Sequence, residues 1–229
     1  MVYTLHMSGP RTPRRFGGIL FDLDGTLADT LEDLADAMNR VLRGEGLPEH
    51  SYAGYQRLIG HGIHQLVRAA LSADRRDEPT IERCFALMMA DYGAHSLIKT
   101  HLYAGVPELL TALKTAGLRL AVLSNKADEP TRRIVAALFA DGAFDAVAGA
   151  RPDVPLKPDP AGALLAAASL GLEPGRMLYV GDSPTDMRTA LAAGMTPVGV
   201  SWGFRTREEL VEAGASAVID HPLELLRLI

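Results

Sequence analysis

Two aspartates one residue apart end an apolar segment near the start of the chain. Asp22 and Asp24 follow "ILF" (19–21), and Gly25 and Thr26 come directly after them. Two carboxylates this close cannot both ionise in a desolvated site unless a cation shares them. Mg²⁺ prefers oxygen ligands of this kind. A Ca²⁺-binding EF-hand loop is disfavoured, because it needs glycine at its sixth position, whereas Gly25 is the fourth residue counted from Asp22.

Polar residues follow three later apolar segments in the same way. They are Ser124, Asn125 and Lys126 after "LRLAVL" (118–123), Lys157 beyond "FDAVAG" (144–149), and Asp182 and Asp186 after "RMLYVG" (176–181). In open α/β sheets, ligands bind outside the carboxyl ends of the strands. We therefore expect these acids, the hydroxyl group and the ammonium groups to converge at one edge of a sheet.

The elements that would position them alternate regularly from residue 105 onward. Predicted helices at 106–116, 128–139, 159–170 and 184–193 alternate with the apolar segments above and with "TPVGVS" (196–201), "ASAVID" (215–220) and a C-terminal helix. Asp159-Pro160 and Ser183-Pro184 are typical helix starts, and Gly117, Gly171 and Gly194 typical helix ends. With "GILF" (18–21) as the first strand, this order predicts an α/β fold with a parallel, Rossmann-like sheet covered by helices.

Residues 29–100 interrupt this pattern with helical segments only. "DTLEDLADAMNRVL" (29–42) has an apolar face, and Asp29 with Glu32 has the spacing of a capping box. Further helical patterns follow at about 50–58, 63–72 and 78–95. We predict a catalytic core at 17–28 and 101–229 and a small, inserted all-helical cap domain at 29–100. Its hinges would be Ala28–Asp29 and 100–105.

Composition limits the function further. The chain has 229 residues, 48% of them hydrophobic, a formal net charge of −5 and one cysteine. The acidic balance argues against nucleic-acid binding, and no apolar segment approaches the about 18 residues of a transmembrane helix. A single cysteine fits a reducing, cytoplasmic setting. Residues 1–16 are basic, lack the apolar segment of a signal peptide, and are predicted to be a flexible tail.

In this order, the motifs resemble those of the haloacid dehalogenase superfamily, and specifically its phosphatases. The matching pieces are "DLDGT" (22–26), "LSN" (123–125), Lys157 in "LKPDP" (156–160) and "GDSPTD" (181–186). The resemblance covers about residues 17–229. It is nearest to the phosphoglycolate phosphatase group through "SNKADEPTRRIVAALF" (124–139), "GDSPTDMRTALAAGM" (181–195) and "GVSWGF" (199–204).

The resemblance implies a mechanism for the core residues. Asp22, Asp182 and the backbone carbonyl of Asp24 would hold Mg²⁺, and Asp22 would attack phosphorus to give an aspartyl-phosphate. The Asp24 side chain would act as general acid and then as general base. Lys157 and the Ser124 hydroxyl would neutralise and orient the phosphoryl oxygens.

Three further residues are expected to support this site. Thr26 would support the loop after Gly25, and Asn125 the loop that carries Asp24. Asp186 would orient Mg²⁺-bound water or pair with Lys157. It is also at the right position to cap the helix that begins at Pro184, and one residue can serve both roles.

The inserted helices would close over the site and select the substrate. Gly60-His61-Gly62 is either an anion cradle of backbone N–H groups or a plain turn between helices. Arg57, His61, Arg68 and Lys126 are candidates to bind a substrate carboxylate. His61 and His64 do not form a convincing zinc site, because no third ligand has matching spacing.

These features predict a Mg²⁺-dependent phosphatase of a small phosphorylated metabolite, with 2-phosphoglycolate as the preferred candidate. A pyrophosphatase, a sugar-phosphate phosphatase or a mutase would use the same site. A dehalogenase is disfavoured, because a halide leaving group needs no proton from Asp24. A non-catalytic phosphate-binding module on the same fold is conceivable, since fold does not fix function, but it is disfavoured because every reactive position is filled. The motifs do not specify an oligomeric state.

Overall fold

A computed structural model describes residues 15–229, so the predicted tail lies outside the described residues except for its last two positions. Six of the strands in this range form one parallel sheet with the order β5-β4-β1-β6-β7-β8. The strands are β1 Gly18–Phe21, β2 Ala28–Asp29, β3 His101–Leu102, β4 Arg119–Ala127, β5 Ala146–Ala150, β6 Met177–Gly181, β7 Thr196–Val200 and β8 Ala217–Ile219. The predicted parallel α/β sheet is confirmed.

Helices cover this sheet and build an insertion beside it. They are α1 Leu31–Gly44, α2 Tyr52–Leu58, α3 Ile63–Ala70, α4 Glu78–His95, α5 Val106–Thr115, α6 Asp128–Leu138, α7 Ala161–Leu170, α8 Pro184–Ala193 and α9 Arg207–Glu212. Side chains alternate along β1: Ile19 and Phe21 join one apolar cluster, while Leu20 joins the other, beneath α7 and α8. This two-residue period is expected for a strand buried on both faces.

Helices α1–α4 form the insertion, between β1 and the rest of the sheet. Its entry and exit segments, β2 and β3, pair as a short antiparallel ribbon. The carboxylate of Asp33 on α1 accepts hydrogen bonds from the backbone N–H groups of Ile98, Lys99 and Thr100 at 2.8–3.1 Å. The all-helical insertion of the predicted fold class is therefore present, tied together where its two connections meet. Its domain boundaries remain a prediction.

Local details differ from the sequence-based expectations. The capping box of Asp29 with Glu32 is absent, because α1 begins after Thr30 and the Thr30 hydroxyl bonds to Asp24 instead. The predicted C-terminal helix is present as a 3₁₀ helix, Pro222–Arg227. Helix α9 was not among the predicted helices, although Thr206 and Glu209 form a capping box at its start. Among the described residues, no helix is both long and apolar enough to cross a membrane.

Candidate active site

Asp22 and Asp24 lie where β1 leaves the sheet. Asp22 continues the hydrogen-bond pattern between β1 and β6, since its N–H donates to the Val180 carbonyl at 2.9 Å. The chain then turns at Gly25, which has φ +78°, and a Cβ added there would lie 2.2 Å from Oδ2 of Asp182. Only glycine allows this turn to pass so close to a neighbouring carboxylate. The turn at Asp24-Gly25 therefore lets the loop after β1 pack against the loop that follows β6.

Lys157 joins the acids of two loops. Its Nζ lies 2.9 Å from Oδ1 of Asp22 and 2.7 Å from Oδ1 of Asp186, and its side chain is only 4% exposed. Burial lowers the pKa of Lys157, but the charges of Asp186 and Asp22 outweigh this effect and raise it well above its usual range. Lys157 is therefore a fixed cation at the centre of the site.

Asp186 caps α8 and pairs with Lys157 at the same time. Ser183 accepts a hydrogen bond from the Asp186 N–H, while Oδ2 of Asp186 accepts from the Ser183 N–H and hydroxyl group. Its other oxygen, Oδ1, faces Lys157. The helix cap and the pair with Lys157 are thus combined in one fully buried carboxylate.

Asp22, Asp182 and Asp186 form a group of buried carboxylates whose nearest ligand atoms lie within 4.8 Å of one another. Burial, and next the charge of Asp186, raise the pKa of Asp182 to about 7, against the opposing hydrogen bond from the Phe204 N–H. Burial also raises the pKa of Asp22 well above its usual range, with Asp186 adding to the effect and Lys157 opposing it. The negative charge of these carboxylates is only partly balanced by nearby positive charge, so their oxygens are suited to bind a hard divalent cation.

Asp24 is held by two donors on one oxygen. Its Oδ1 lies 2.6 Å from the Thr30 hydroxyl and 2.9 Å from Nζ of Lys126. The Lys126 ammonium also donates to the Tyr92 hydroxyl at 2.9 Å and lies 4.7 Å from the centre of the Tyr92 ring. Burial lowers the pKa of Lys126, but Asp24 and Tyr92 outweigh this and raise it. Core and insertion therefore meet at the second aspartate.

One cavity connects these groups with the insertion. It encloses about 530 Å³ including its open mouth. Its lining from the core includes Asp22, Asp24, Ser124, Asn125, Lys126, Lys157, Asp182, Ser183, Phe204 and Arg205, and its lining from the insertion includes Leu34, Ile59, Gly60, Gly62, Ile63 and Leu66. The predicted convergence of four loops thus leads to a single space that the insertion also lines.

Two core side chains cross this cavity to the insertion. Arg205 donates to the backbone carbonyls of Gln56, Arg57 and Ile59 at 2.5–3.3 Å, at the end of α2. Asn125 donates weakly to the Gly60 carbonyl at 3.3 Å. Since Phe204 of the same 201–205 loop donates to Asp182, this loop links a candidate metal ligand with the insertion.

Other predicted residues have different surroundings from those expected. Asn125, expected to support the Asp24 loop, instead bonds to the backbone N–H and carbonyl of Lys157 at 2.8 and 3.1 Å. The Thr26 hydroxyl donates over a long distance, 3.4 Å, to Oδ1 of Asp182, while the Thr26 N–H donates to the Leu23 carbonyl at 3.3 Å. The Thr26 carbonyl accepts a hydrogen bond from the indole of Trp202, which also packs against the apolar cluster.

The four candidates for binding a substrate carboxylate separate into two groups. Lys126 lines the cavity, but Asp24 and Tyr92 occupy its ammonium group. Arg57 and His61 are exposed, and Arg68 pairs with Glu78 at 2.9 Å on the surface of the insertion. These three do not line the cavity formed by the described residues.

Three features of the site region were not predicted from the sequence. They are a second group of possible metal ligands, the contacts of Tyr92, and the hydrogen bonds made by Arg205. His64, Glu78 and Glu82 lie within 4.8 Å of one another on the surface of the insertion, where His64 pairs with Glu82. Tyr92 continues a buried stripe on α4 with Cys84 and Met88, so its spacing indicates only a core position. Contacts across the cavity join residues far apart in the chain, so the spacing of residues in the sequence does not predict them.

The chain is similar to known proteins over most of its length. A family model described as haloacid dehalogenase-like hydrolase matches residues 19–200. A phosphoglycolate phosphatase from Rhodospirillum rubrum is 38% identical over 209 residues, covering 88% of this chain and 86% of that protein. An N-acetylmuramic acid 6-phosphate phosphatase from Pseudomonas aeruginosa is 32% identical, covering 93% and 94%.

A solved structure is also similar over nearly its whole length. It is described as a predicted phosphoglycolate phosphatase from Haemophilus somnus. It superposes with a TM-score of 0.88 at 30% identity, covering 95% of this chain and 99% of that one.

Proposed function

The chain belongs to the haloacid dehalogenase-like hydrolase family, and from that premise we propose that it is a Mg²⁺-dependent phosphatase of small, carboxylate-bearing phosphate monoesters, with 2-phosphoglycolate as the first candidate. The observation that carries the proposal is the group formed by Lys157 with Asp22 and Asp186, 2.9 and 2.7 Å away, beside Asp182. A fixed cation among buried carboxylates beside this cavity suits phosphoryl transfer, which depends on positioning and charge.

We propose that the side chains of Asp22 and Asp182, with the backbone carbonyl of Asp24, hold the Mg²⁺ ion. Their oxygen donors match a hard cation, and their raised pKa values reflect buried negative charge that a divalent ion would compensate. When bound, the ion would neutralise negative charge on the phosphoryl group. Asp186, already bound by Lys157 and Ser183, supports the site from behind.

Asp22 is the proposed nucleophile. Oδ1 of its carboxylate accepts hydrogen bonds from Nζ of Lys157 and from the Leu23 N–H at 2.7 Å, which fixes its orientation. An oxygen of Asp22 bonds to phosphorus as the bond from phosphorus to the leaving oxygen breaks, giving an aspartyl-phosphate. Lys157 and the Ser124 hydroxyl, which line the same cavity, orient the phosphoryl oxygens.

Asp24 is the proposed proton-transfer group. It gives a proton to the leaving alkoxide in the first step and accepts one from the water that hydrolyses the aspartyl-phosphate in the second. Its Oδ1 is held by Thr30 and Lys126, so the carboxylate keeps one orientation through both steps.

Substrate selection is proposed to come from the insertion. Gly60 and Gly62 line the cavity beside the start of α3, so their backbone groups face a bound substrate together with Ile59 and Ile63. The names of the two curated relatives both describe a phosphate ester of a carboxylic acid. A carboxylate is therefore the feature that a substrate panel should vary.

The test is phosphate release from a panel with Mg²⁺ and with EDTA. The panel contains 2-phosphoglycolate, N-acetylmuramic acid 6-phosphate, ethyl phosphate, glucose 6-phosphate and pyrophosphate. We expect Mg²⁺-dependent hydrolysis with the highest kcat/KM on 2-phosphoglycolate. Preference for N-acetylmuramic acid 6-phosphate would favour the second candidate function, which the similar Pseudomonas aeruginosa protein suggests. Full activity in EDTA would contradict the metal assignment.

A further inference from the structure

We propose that Tyr92 of the helical insertion is a positioning residue for proton transfer by Asp24, acting through the ammonium group of Lys126. The inference rests on the proposed function, because it needs Asp24 to protonate a leaving alkoxide. It adds a role for a residue of the insertion that does not line the cavity.

The first step concerns the two oxygens of Asp24. Oδ1 receives the Thr30 hydroxyl at 2.6 Å and the Lys126 ammonium at 2.9 Å. With both donors in place, Oδ1 has no lone pair free for a further proton. The proton that Asp24 transfers is therefore carried by Oδ2, which accepts no hydrogen bond within residues 15–229. Proton transfer from a defined oxygen requires that Lys126 stays in place.

The second step concerns what holds Lys126. Its side chain is only 2% exposed, so contacts within the protein orient its ammonium group. Apart from Asp24, its hydrogen-bond partner among the described residues is the Tyr92 hydroxyl, and the Tyr92 ring adds a cation–π contact at 4.7 Å. Tyr92 lies on α4 of the insertion, while Lys126 ends β4 of the sheet. Seating of the insertion on the core therefore also sets the orientation of Asp24.

A role of Tyr92 in proton transfer can be distinguished from other roles by changing the leaving group of the substrate. In the first chemical step, an oxygen of Asp22 bonds to phosphorus, the bond to the leaving oxygen breaks, and the proton on Oδ2 of Asp24 moves to that oxygen. An alkoxide needs this proton, whereas p-nitrophenolate leaves readily without it. A change that only misplaces Asp24 must therefore slow alkyl phosphates and spare p-nitrophenyl phosphate.

The experiment measures kcat/KM with Mg²⁺ on three esters: 2-phosphoglycolate, ethyl phosphate and p-nitrophenyl phosphate. Tyr92→Phe keeps the ring and removes the hydroxyl. We expect kcat/KM to fall about tenfold on both alkyl phosphates, the loss of one hydrogen bond to a charged group, and by less than about twofold on the aryl ester. In a Lys126→Met background, Tyr92→Phe should have no further effect on the ratio of alkyl to aryl rates.

The matched control is Tyr55→Phe. Tyr55 is another fully buried tyrosine of the insertion, but its hydroxyl donates to Asn39 at 2.7 Å, away from the cavity. It should cost a similar amount of stability and leave the ratio of alkyl to aryl rates unchanged.

Three results with Tyr92→Phe would overturn the inference. An equal loss on all three esters would assign Tyr92 to packing alone. A loss on 2-phosphoglycolate only would make Lys126 a ligand of the substrate carboxylate instead. An unchanged enzyme would remove Tyr92 from the reaction. A wild-type chain that hydrolyses none of the esters would contradict the proposed function itself, and the inference with it.

Discussion

At the residue scale, Lys157 is the cation that balances the negative charge of the buried carboxylates. It lies within hydrogen-bond distance of two buried carboxylates, Asp22 and Asp186, and is itself almost without exposure. Removing one member of such a group leaves buried charge without a partner, which costs far more than the pair contributes when intact. The metal-free protein should therefore be unusually sensitive to substitution at this lysine.

We predict that Lys157→Met lowers the free energy of unfolding in EDTA by about 3 kcal/mol at pH 8. The loss should be smaller at pH 5, where Asp22 can be protonated because burial raises its pKa. Urea denaturation at the two pH values measures this. Lys114→Met is the control, since its surface pair with Asp145 should contribute at most about 1 kcal/mol. Equal, small losses for both variants would contradict the central role of Lys157.

Asp22 supplies a second prediction at this scale. Asp22→Asn should reduce phosphate release by about four orders of magnitude or more, because the amide cannot form the aspartyl-phosphate. Phosphate release and acid-quench trapping of phosphorylated protein measure the two consequences together. Asp153→Asn, at an exposed aspartate, should leave both unchanged. Near-normal turnover by Asp22→Asn would remove the covalent step from the mechanism.

At the scale of elements, the site depends on contacts between the core loops and the insertion. Arg205 binds three carbonyls at the end of α2, and the neighbouring Phe204 N–H binds Asp182. The 201–205 loop therefore contacts both a candidate metal ligand and the insertion. Asp33 binds backbone N–H groups of 98–100 inside the insertion, which holds its two ends together. The hydrogen bonds of Arg205 therefore connect the insertion to the core, whereas those of Asp33 lie within the insertion.

We predict that Arg205→Ala raises KM for the preferred substrate about tenfold, with a smaller change in kcat, because three hydrogen bonds that hold the insertion over the cavity are lost. Steady-state kinetics with Mg²⁺ measures both parameters. Arg207→Ala is the control, since Arg207 makes an exposed pair with Asp220 and lies on the next helix. A fall in kcat alone would place Arg205 in the chemical step instead.

The strands, and the convergence of the loops that follow them, could be predicted from the sequence for a physical reason. Segments buried on both faces, such as β1 and β6, are continuously apolar, and the carboxyl ends of parallel strands must share an edge. Contacts that depend on how α1–α4 sit on the sheet have no such local signal. The contact of Tyr92 with Lys126 therefore could not be predicted, and Thr30 bonds to Asp24 rather than capping α1 with its side chain.

At the scale of the whole molecule, the buried carboxylates of the site are expected to make stability depend on pH. Asp182 has its pKa raised from 3.8 to about 7, first by burial and then by Asp186. A carboxyl whose pKa is higher in the folded state favours folding most at low pH. That contribution is lost as pH rises from about 4 through 7 and amounts to about 4 kcal/mol. A bound divalent cation favours the ionised carboxylate and should reverse the trend.

We therefore predict that Mg²⁺ stabilises the protein more at pH 8 than at pH 5. Urea denaturation at both pH values, in EDTA and in Mg²⁺, gives the free energies of unfolding. Asp182→Asn is the matched variant, because its amide oxygen can still accept the Phe204 N–H while its charge is gone. In EDTA it should be more stable than the wild type at pH 8 and nearly equal to it at pH 5, and Mg²⁺ should stabilise it far less. If Asp182→Asn instead destabilised the metal-free protein equally at both pH values, the buried charge of Asp182 would not be what makes stability depend on pH.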